Sequence, residues 1–254
     1  GLKYADDKML GVDYIIPDYT YIKKNIDKVK GIFITHGHDQ QMGALADIVS
    51  DLKNIDIYAT EFTSEIIKDE FNKEGISTSH LKTIKPHKKI NFKNASVFPI
   101  SLTHSVPDNV GYVINTSDGA IVYTGNFVFD PSMLGAYQTD IGKLAYIGKQ
   151  GVLCLMSESL YAEKVGFTST NHRTTKVIKE ALRKNDSRVI FNIYGTQFYR
   201  IQEIFNEVMK VGRNIVILGK DLETTIMKAI DNNYLRFDKD RIFNLKQIED
   251  GNIV

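Results

Sequence analysis

Thr35-His36-Gly37-His38-Asp39-Gln40-Gln41-Met42-Gly43-Ala44-Leu45 follows directly on the apolar run Gly31-Ile32-Phe33-Ile34. The run reads as a strand, and the stretch after it as a polar loop that carries two histidines. A turn at the end of a strand can aim two imidazoles, one residue apart, into a single pocket. Imidazole is a common ligand for zinc and manganese-like ions. Taken alone, this spacing is a weak signal, and a pair of part-exposed loop histidines is the plainer reading. Two further segments strengthen it. Leu102 to Tyr112 reads L-T-H-S-V-P-D-N-V-G-Y and sets His104 just beyond the strand Val97–Ile100. Tyr123 to Asp130 reads Y-T-G-N-F-V-F-D and sets Asn126 just beyond another strand. Polar positions at the ends of separate apolar strands are how a fold assembles a site on rigid elements.

Outward from this centre, Met42, Leu45, Val49 and Leu52 repeat at helical spacing. Ile57 to Ala59 reads as a strand, and Thr63 to Phe71 as a helix ended by Gly75. Gly111–Ile114 and Ala120–Tyr123 flank Thr116-Ser117-Asp118-Gly119, a hairpin signal. From Val152 onward the style changes. Val152–Met156, Val189–Phe191 and Ile215–Leu218 read as strands, with helical patterns near 173–184, 198–210 and 222–230. Such alternation predicts a parallel sheet with crossover helices. The expected class is therefore α/β.

The bulk properties narrow the field. The chain has 254 residues, 32 Lys and Arg against 31 Asp and Glu, and 43 % hydrophobic residues. Those values suit one large globular domain or two small ones, and they exclude global disorder. No apolar run approaches the length of a spanning helix, so no membrane partner is expected. Residues 163–239 hold 14 Lys and Arg against 9 Asp and Glu, which suits a solvated helix face as well as an RNA groove. Cys154 is the only cysteine, so an intrachain disulfide and a cysteine-based zinc module are both excluded. Its apolar surroundings predict a buried, inert thiol, and a reducing cytoplasm is the expected compartment. The N-terminal residues show neither a signal-peptide core nor an initiator Met.

These segments resemble the bacterial ribonuclease J family, nucleases that join a metallo-β-lactamase fold to a β-CASP domain. The opening G-L-K-Y-A-D-D-K-M-L-G-V-D-Y-I-I-P-D is similar to that family's stretch before its first metal motif. T-H-S-V-P-D-N-V-G-Y resembles its third motif, and T-G-N-F-V-F-D its fourth. L-M-S-E-S-L-Y-A-E-K-V-G-F-T resembles the entry to the β-CASP domain, with Glu158 at the acidic position. R-V-I-F-N-I-Y-G-T-Q-F-Y-R-I-Q-E-I and G-R-N-I-V-I-L-G-K resemble the β-CASP core. The matches keep the family's order from Gly1 to about residue 236. The resemblance implies an αββα sandwich, incomplete here, over residues 1–157 and part of a β-CASP domain over 158–254. It also implies that strands before Gly1, the rest of the β-CASP domain, a further His ligand and a C-terminal dimerisation region lie outside the chain.

The departures from the pattern carry as much. Against the family's H-x-H-x-D-H, the chain has His36, His38, then Gln40 and Gln41 in the Asp and last His positions, and Asn126 replaces the bridging Asp. His36, His38 and His104 remain as a possible single site, weak or empty. Neutral Gln and Asn oxygens cannot balance two dications at short separation. Asp39 is the nearest carboxylate, but its side chain is expected to point away. Glu158 is expected to support the site rather than to react. By resemblance the cofactor is zinc or manganese, with none or one weakly bound ion here.

The resemblance further implies RNA processing and mRNA decay by 5′-to-3′ and internal cleavage. The chain looks like the degenerate member of a ribonuclease J pair, with weak or absent activity of its own. The implied partners are RNA, an active paralogue in a hetero-oligomer, and a second copy through a C-terminal region. The rival readings are a non-catalytic RNA-binding scaffold that stabilises an active paralogue, and a small-molecule metallo-hydrolase. Tyr194, Thr196 and Gln197 stand at a strand-to-helix junction and are candidate RNA contacts, although Gln197 also suits a helix cap. Gly219-Lys220-Asp221 is a similar junction. His80 and His87 lie among Lys82, Lys85, Lys88 and Lys89, which read as a solvated loop or, alternatively, as phosphate contacts. His172 is expected at the surface.

Overall fold

The computed structural model describes residues 1–52, 54–131, 133, 135–166, 174–184, 187–245 and 247. The expectation for His172 falls outside them. The chain divides into two compact units, Gly1–His104 with Asp108–Thr170, and Ser105–Pro107 with Asn171–Val254.

The first unit opens with a small hairpin, β1 (Lys3–Tyr4) against β2 (Tyr14–Ile15), and a short helix, α1 (Thr20–Lys24). There follow β3 (Ile32–Phe33), α2 (Asp39–Met42), α3 (Leu45–Asp51), β4 (Ile57–Thr60), α4 (Glu61–Lys73) and β5 (Leu81–Ile84). β3, β4 and β5 form a parallel sheet in that order, so the loops after all three strands leave from one edge. The remaining elements are β6 (Ile90–Asn91), β7 (Ser96–Ser101), β8 (Val110–Thr116), β9 (Gly119–Tyr123), α5 (Ile141–Gln150) and β10 (Cys154–Met156). They make a five-stranded sheet in the order β10-β9-β8-β7-β6, antiparallel except for β10 beside β9.

The layers follow from which residues are apolar on which face. Ile34, Ile57 and Ala59 of the parallel sheet pack on Met42 and Leu45 and on Ile67 and Phe71 of α4. The other face of that sheet, with Phe33 and Tyr58, meets Val97, Val110 and Tyr112 of the larger sheet. Phe33 stacks on Tyr58 with centroids 4.5 Å apart. The outer face of the larger sheet, with Ile100, Val113 and Val122, is covered by Leu144 and Ile147 of α5. Helix, sheet, sheet, helix is the αββα sandwich.

The second unit contains α6 (Thr175–Lys184), α7 (Phe198–Lys210), β11 (Ile215–Val216), α8 (Lys220–Asp231) and β12 (Ile242–Phe243). β11 and β12 pair in parallel, Ile215 opposite Ile242. Ile178 and Leu182 on α6, and Phe198, Ile201, Phe205 and Val208 on α7, are buried at helical spacing. Phe205 also packs on Phe237, with centroids 4.7 Å apart. Glu203 is buried on α7 and satisfied by the Thr175 hydroxyl, which donates at 2.6 Å, and by the Arg200 guanidinium.

Three expectations need correction. The helical pattern from Met42 to Leu52 is two helices, because Gly43 and Ala44 interrupt the ladder while Met42 and Leu45 keep one buried face. Val189–Phe191 is irregular chain, not a strand. Cys154 is exposed, because β10 is an edge strand whose three residues all meet solvent. No helix among the described residues is long and apolar enough to cross a membrane.

Candidate metal centre

Beyond Phe33 the ladder of β3 continues for one residue, with Ile34 N–H donating to the Tyr58 carbonyl at 2.9 Å. Two further bonds pin the chain there. The Tyr112 hydroxyl donates to the Ile34 carbonyl at 2.6 Å, and Val110 N–H donates to the Thr35 carbonyl at 3.0 Å. His36 therefore enters the interior at a fixed point and is fully buried. Gly37 fits because a Cβ there would stand 2.5 Å from Cδ1 of Ile66. His38, extended at φ −91° and ψ 147°, then starts α2. His104 arrives from the other sheet, three residues after β7.

The three rings lie edge to face, with centroids 4.8 Å apart for His36–His38, 4.6 Å for His36–His104 and 4.9 Å for His38–His104. One ring nitrogen from each falls within 4.8 Å of the others. Nδ1 of His36 is 3.0 Å from the Thr35 hydroxyl, whereas its buried Nε2 has no hydrogen-bond partner. Leaving a buried polar atom unsatisfied costs about 1–3 kcal/mol, so such an atom in a site points to a ligand. Burial, then the neighbouring His104 and His38, pushes His36 down to about 2. Burial and then His38 push His104 down to about 4, and burial also lowers His38 against the opposing pull of Asp39. All three are neutral near pH 7, with lone pairs available to a cation. A single ion with three imidazole donors and open positions fits this set.

Among the described residues, nothing beside the three histidines supplies an anionic bridge for a second ion. Gln41 Nε2 donates to Asn126 Oδ1 at 2.5 Å, and Asn126 Nδ2 donates to Glu158 Oε2 at 2.6 Å. The other Glu158 oxygen accepts from Phe127 N–H at 2.9 Å. The amides beside the histidines are thus joined to each other and to Glu158, and they offer no anionic bridge. Gln40 is exposed at the surface of α2. Asp39 turns outward, as expected, and accepts a 2.8 Å bond from the Tyr4 hydroxyl.

Two supports were not read from the sequence. Asn109 is buried and donates to the carbonyls of Leu102 and Asn126, both at 3.2 Å, tying the His104 and Asn126 loops together. Tyr112 holds the loop of His36 through its hydroxyl. Asn109 lies within the segment T-H-S-V-P-D-N-V-G-Y, and its lack of charge beside Asp108 was the available signal. In the second unit Tyr194 is exposed, Thr196 half-buried, and Gln197 precedes α7 without making a side-chain cap bond. His80 and His87 pair with Asp56 at 3.2 Å and with Asp140 at 3.5 Å.

The family described as the beta-lactamase superfamily domain matches residues 15–142, and the one described as the ribonuclease J beta-CASP domain matches residues 186–253. Proteins named Ribonuclease J 2 from Staphylococcus aureus (strain NCTC 8325 / PS 47) and Staphylococcus saprophyticus are 36 % and 35 % identical over 98 % of this chain. The chain spans about half the length of these curated relatives, 45 %. A crystal structure of a protein of unknown function from Enterococcus faecalis V583 shares the fold at TM-score 0.55 and 15 % identity, over 95 % of this chain and 60 % of that one. The chain belongs to the beta-lactamase superfamily, and its C-terminal part matches the ribonuclease J beta-CASP domain.

Proposed function

We propose that this chain is part of a ribonuclease J-like protein of RNA processing and mRNA decay whose own phosphodiester hydrolysis is weak or absent. The observation that carries the reading is the pairing of an intact three-histidine cluster with a hydrogen-bond chain in which two neutral amides, Gln41 and Asn126, lead to the Glu158 carboxylate. His36, His38 and His104 would hold one zinc or manganese ion. When bound, such an ion supplies Lewis-acid polarisation of a phosphodiester oxygen and a lowered pKa for coordinated water. The surrounding side chains restrict the centre to that single ion. Neutral imidazoles add no negative charge to offset a second cation, and Glu158 is already occupied by Asn126 and the Phe127 amide. Tyr194, Thr196 and Gln197 are candidate RNA contacts.

The same hydrogen-bond chain favours a second reading. The protein would then be an RNA-binding scaffold that stabilises an active ribonuclease J paralogue, in a hetero-oligomer or as its own dimer. Incubating the complete purified protein with 5′-monophosphorylated RNA and manganese separates the two. Slow turnover lost on His36→Ala supports residual catalysis. No turnover alone, with altered cleavage when the active paralogue is added, supports the scaffold. Robust turnover by the unsubstituted protein overturns both.

A further inference from the structure

Between Gly75 and Pro107 the chain has five lysines and three histidines and no Asp or Glu, although acids number 31 in 254 residues. Two of the histidines stand beside carboxylates, His80 at 3.2 Å from Asp56 and His87 at 3.5 Å from Asp140, and Lys82 lies 3.9 Å from Asp56. Among the described residues, Lys85, Lys88 and Lys89 make no ion pair or side-chain hydrogen bond, and all three are exposed.

These three lysines are not on a loose loop. Lys88 N–H donates to the Lys85 carbonyl at 3.2 Å, which closes a four-residue turn over Pro86 and His87. His87 takes φ +63°, the left-handed region that a residue with a Cβ adopts only when its surroundings impose it. The surroundings are visible. His87 N–H donates to the Pro99 carbonyl at 2.8 Å, its ring stacks on Phe98 with centroids 5.9 Å apart, and its Nε2 faces Asp140. Glycine would hold the same turn without strain. His87 instead binds the turn to β7 and α5, which fixes the backbone from which the lysines project.

The position follows from the register. Thr60 pairs with Ile84 and Phe33 with Tyr58 in parallel, so Lys85 leaves the sheet at the edge from which His36 and His38 also leave. Ligands of open parallel sheets bind outside that carboxyl edge. The apolar residues flanking the turn, Ile84, Ile90 and Phe92, are packed in the core between the sheets. The turn therefore offers cations without an apolar anchor, which suits a polyphosphate chain better than a lipid surface.

We propose that the Lys85-Pro86-His87-Lys88-Lys89 turn is a rigid phosphate-binding element for the backbone of single-stranded RNA. The proposal rests on the ribonuclease J-like reading and adds an RNA contact on the lactamase-like unit itself. The first and last α-carbons of a β-turn lie within about 7 Å, so Lys85 and Lys88 can engage phosphates close together along one strand. Three lysine–phosphate contacts on single-stranded RNA contribute about 2 to the magnitude of the slope of log affinity against log salt, which is lost with them.

The test uses the complete protein and a fluorescently labelled unstructured oligoribonucleotide, titrated at several salt concentrations. Replacing Lys85→Gln, Lys88→Gln and Lys89→Gln together is expected to weaken binding about tenfold at low salt and to lower the slope by about 2, with unchanged thermal unfolding. A second variant, His87→Gly, keeps all the lysines and frees the turn, and is expected to weaken binding without changing the slope. Equal affinity and slope for the triple variant and the unsubstituted protein would overturn the proposal while leaving the ribonuclease reading intact. No RNA binding by the unsubstituted protein would overturn both. Tighter, lysine-dependent binding to phosphatidylserine vesicles than to RNA would overturn the choice of partner.

Discussion

Asn126 shows how a single residue sets the chemistry. An Asp at this position would present two anionic oxygens, whereas Asn126 presents a neutral acceptor to Gln41 and spends its amide N–H on Glu158. The same scale contains the support for His36. Tyr112→Phe removes the donor to the buried Ile34 carbonyl and is expected to cost about 1–3 kcal/mol. Urea unfolding measures that loss, and weaker zinc retention by the folded variant shows that the bond also places His36. Glu70 on α4 gives a pH dependence. Burial first, then Asp39 and Glu74, with Lys73 opposing and Asp47 adding least, raises its carboxyl to about 7. A raised carboxyl binds its proton more tightly in the folded state, so its contribution is complete below the unfolded value near 4.5 and is lost as pH rises through 7. Glu70→Gln is therefore expected to unfold at higher urea than the unsubstituted chain at pH 8, by about 1 kcal/mol after solvent screening. The gap is expected to close by pH 5, and an equal gap at both pH values would contradict the assignment.

At the scale of elements, the site is a set of strand ends. β3 and β7 carry the histidines, and the loops before β8 and after β9 bring Asn109 and Asn126 against them through two carbonyl bonds. Restoring ligands therefore means rebuilding several loops at once. Gln40→Asp, Gln41→His and Asn126→Asp made together in the complete protein are expected to yield a second bound ion and manganese-dependent RNA cleavage. A folded triple variant that binds two ions and fails to cut would place the defect elsewhere. Strand periods and motif segments were enough to read the hairpin Gly111–Tyr123, the helix at 198–210 and the convergence of His36, His38 and His104. The failures have physical causes. A face pattern survives a break in the helix axis, so Met42 and Leu45 gave no sign of the interruption between them. An apolar run does not reveal whether its strand has one neighbour or two, and Cys154 is exposed for that reason. Cys154 is accordingly expected to react with a thiol reagent in this chain without denaturant, and resistance until unfolding would contradict its place on the sheet edge.

Across the whole molecule, near balance of charge hides local segregation. The net charge is +1, yet the 33 residues from Gly75 to Pro107 hold every charge of one sign, and the turn at Lys85–Lys89 concentrates it. The lactamase-like unit thus carries both a three-histidine cluster and a cationic turn on one sheet edge, with no anionic bridging ligand for a dinuclear centre among its described residues. A limit of one ion per chain follows from that lack. Elemental analysis of the complete protein, after equilibration with zinc or manganese and removal of free ion, tests it most directly. At most one ion per chain is expected, and none after His36→Ala. Two tightly held ions per unsubstituted chain would contradict it.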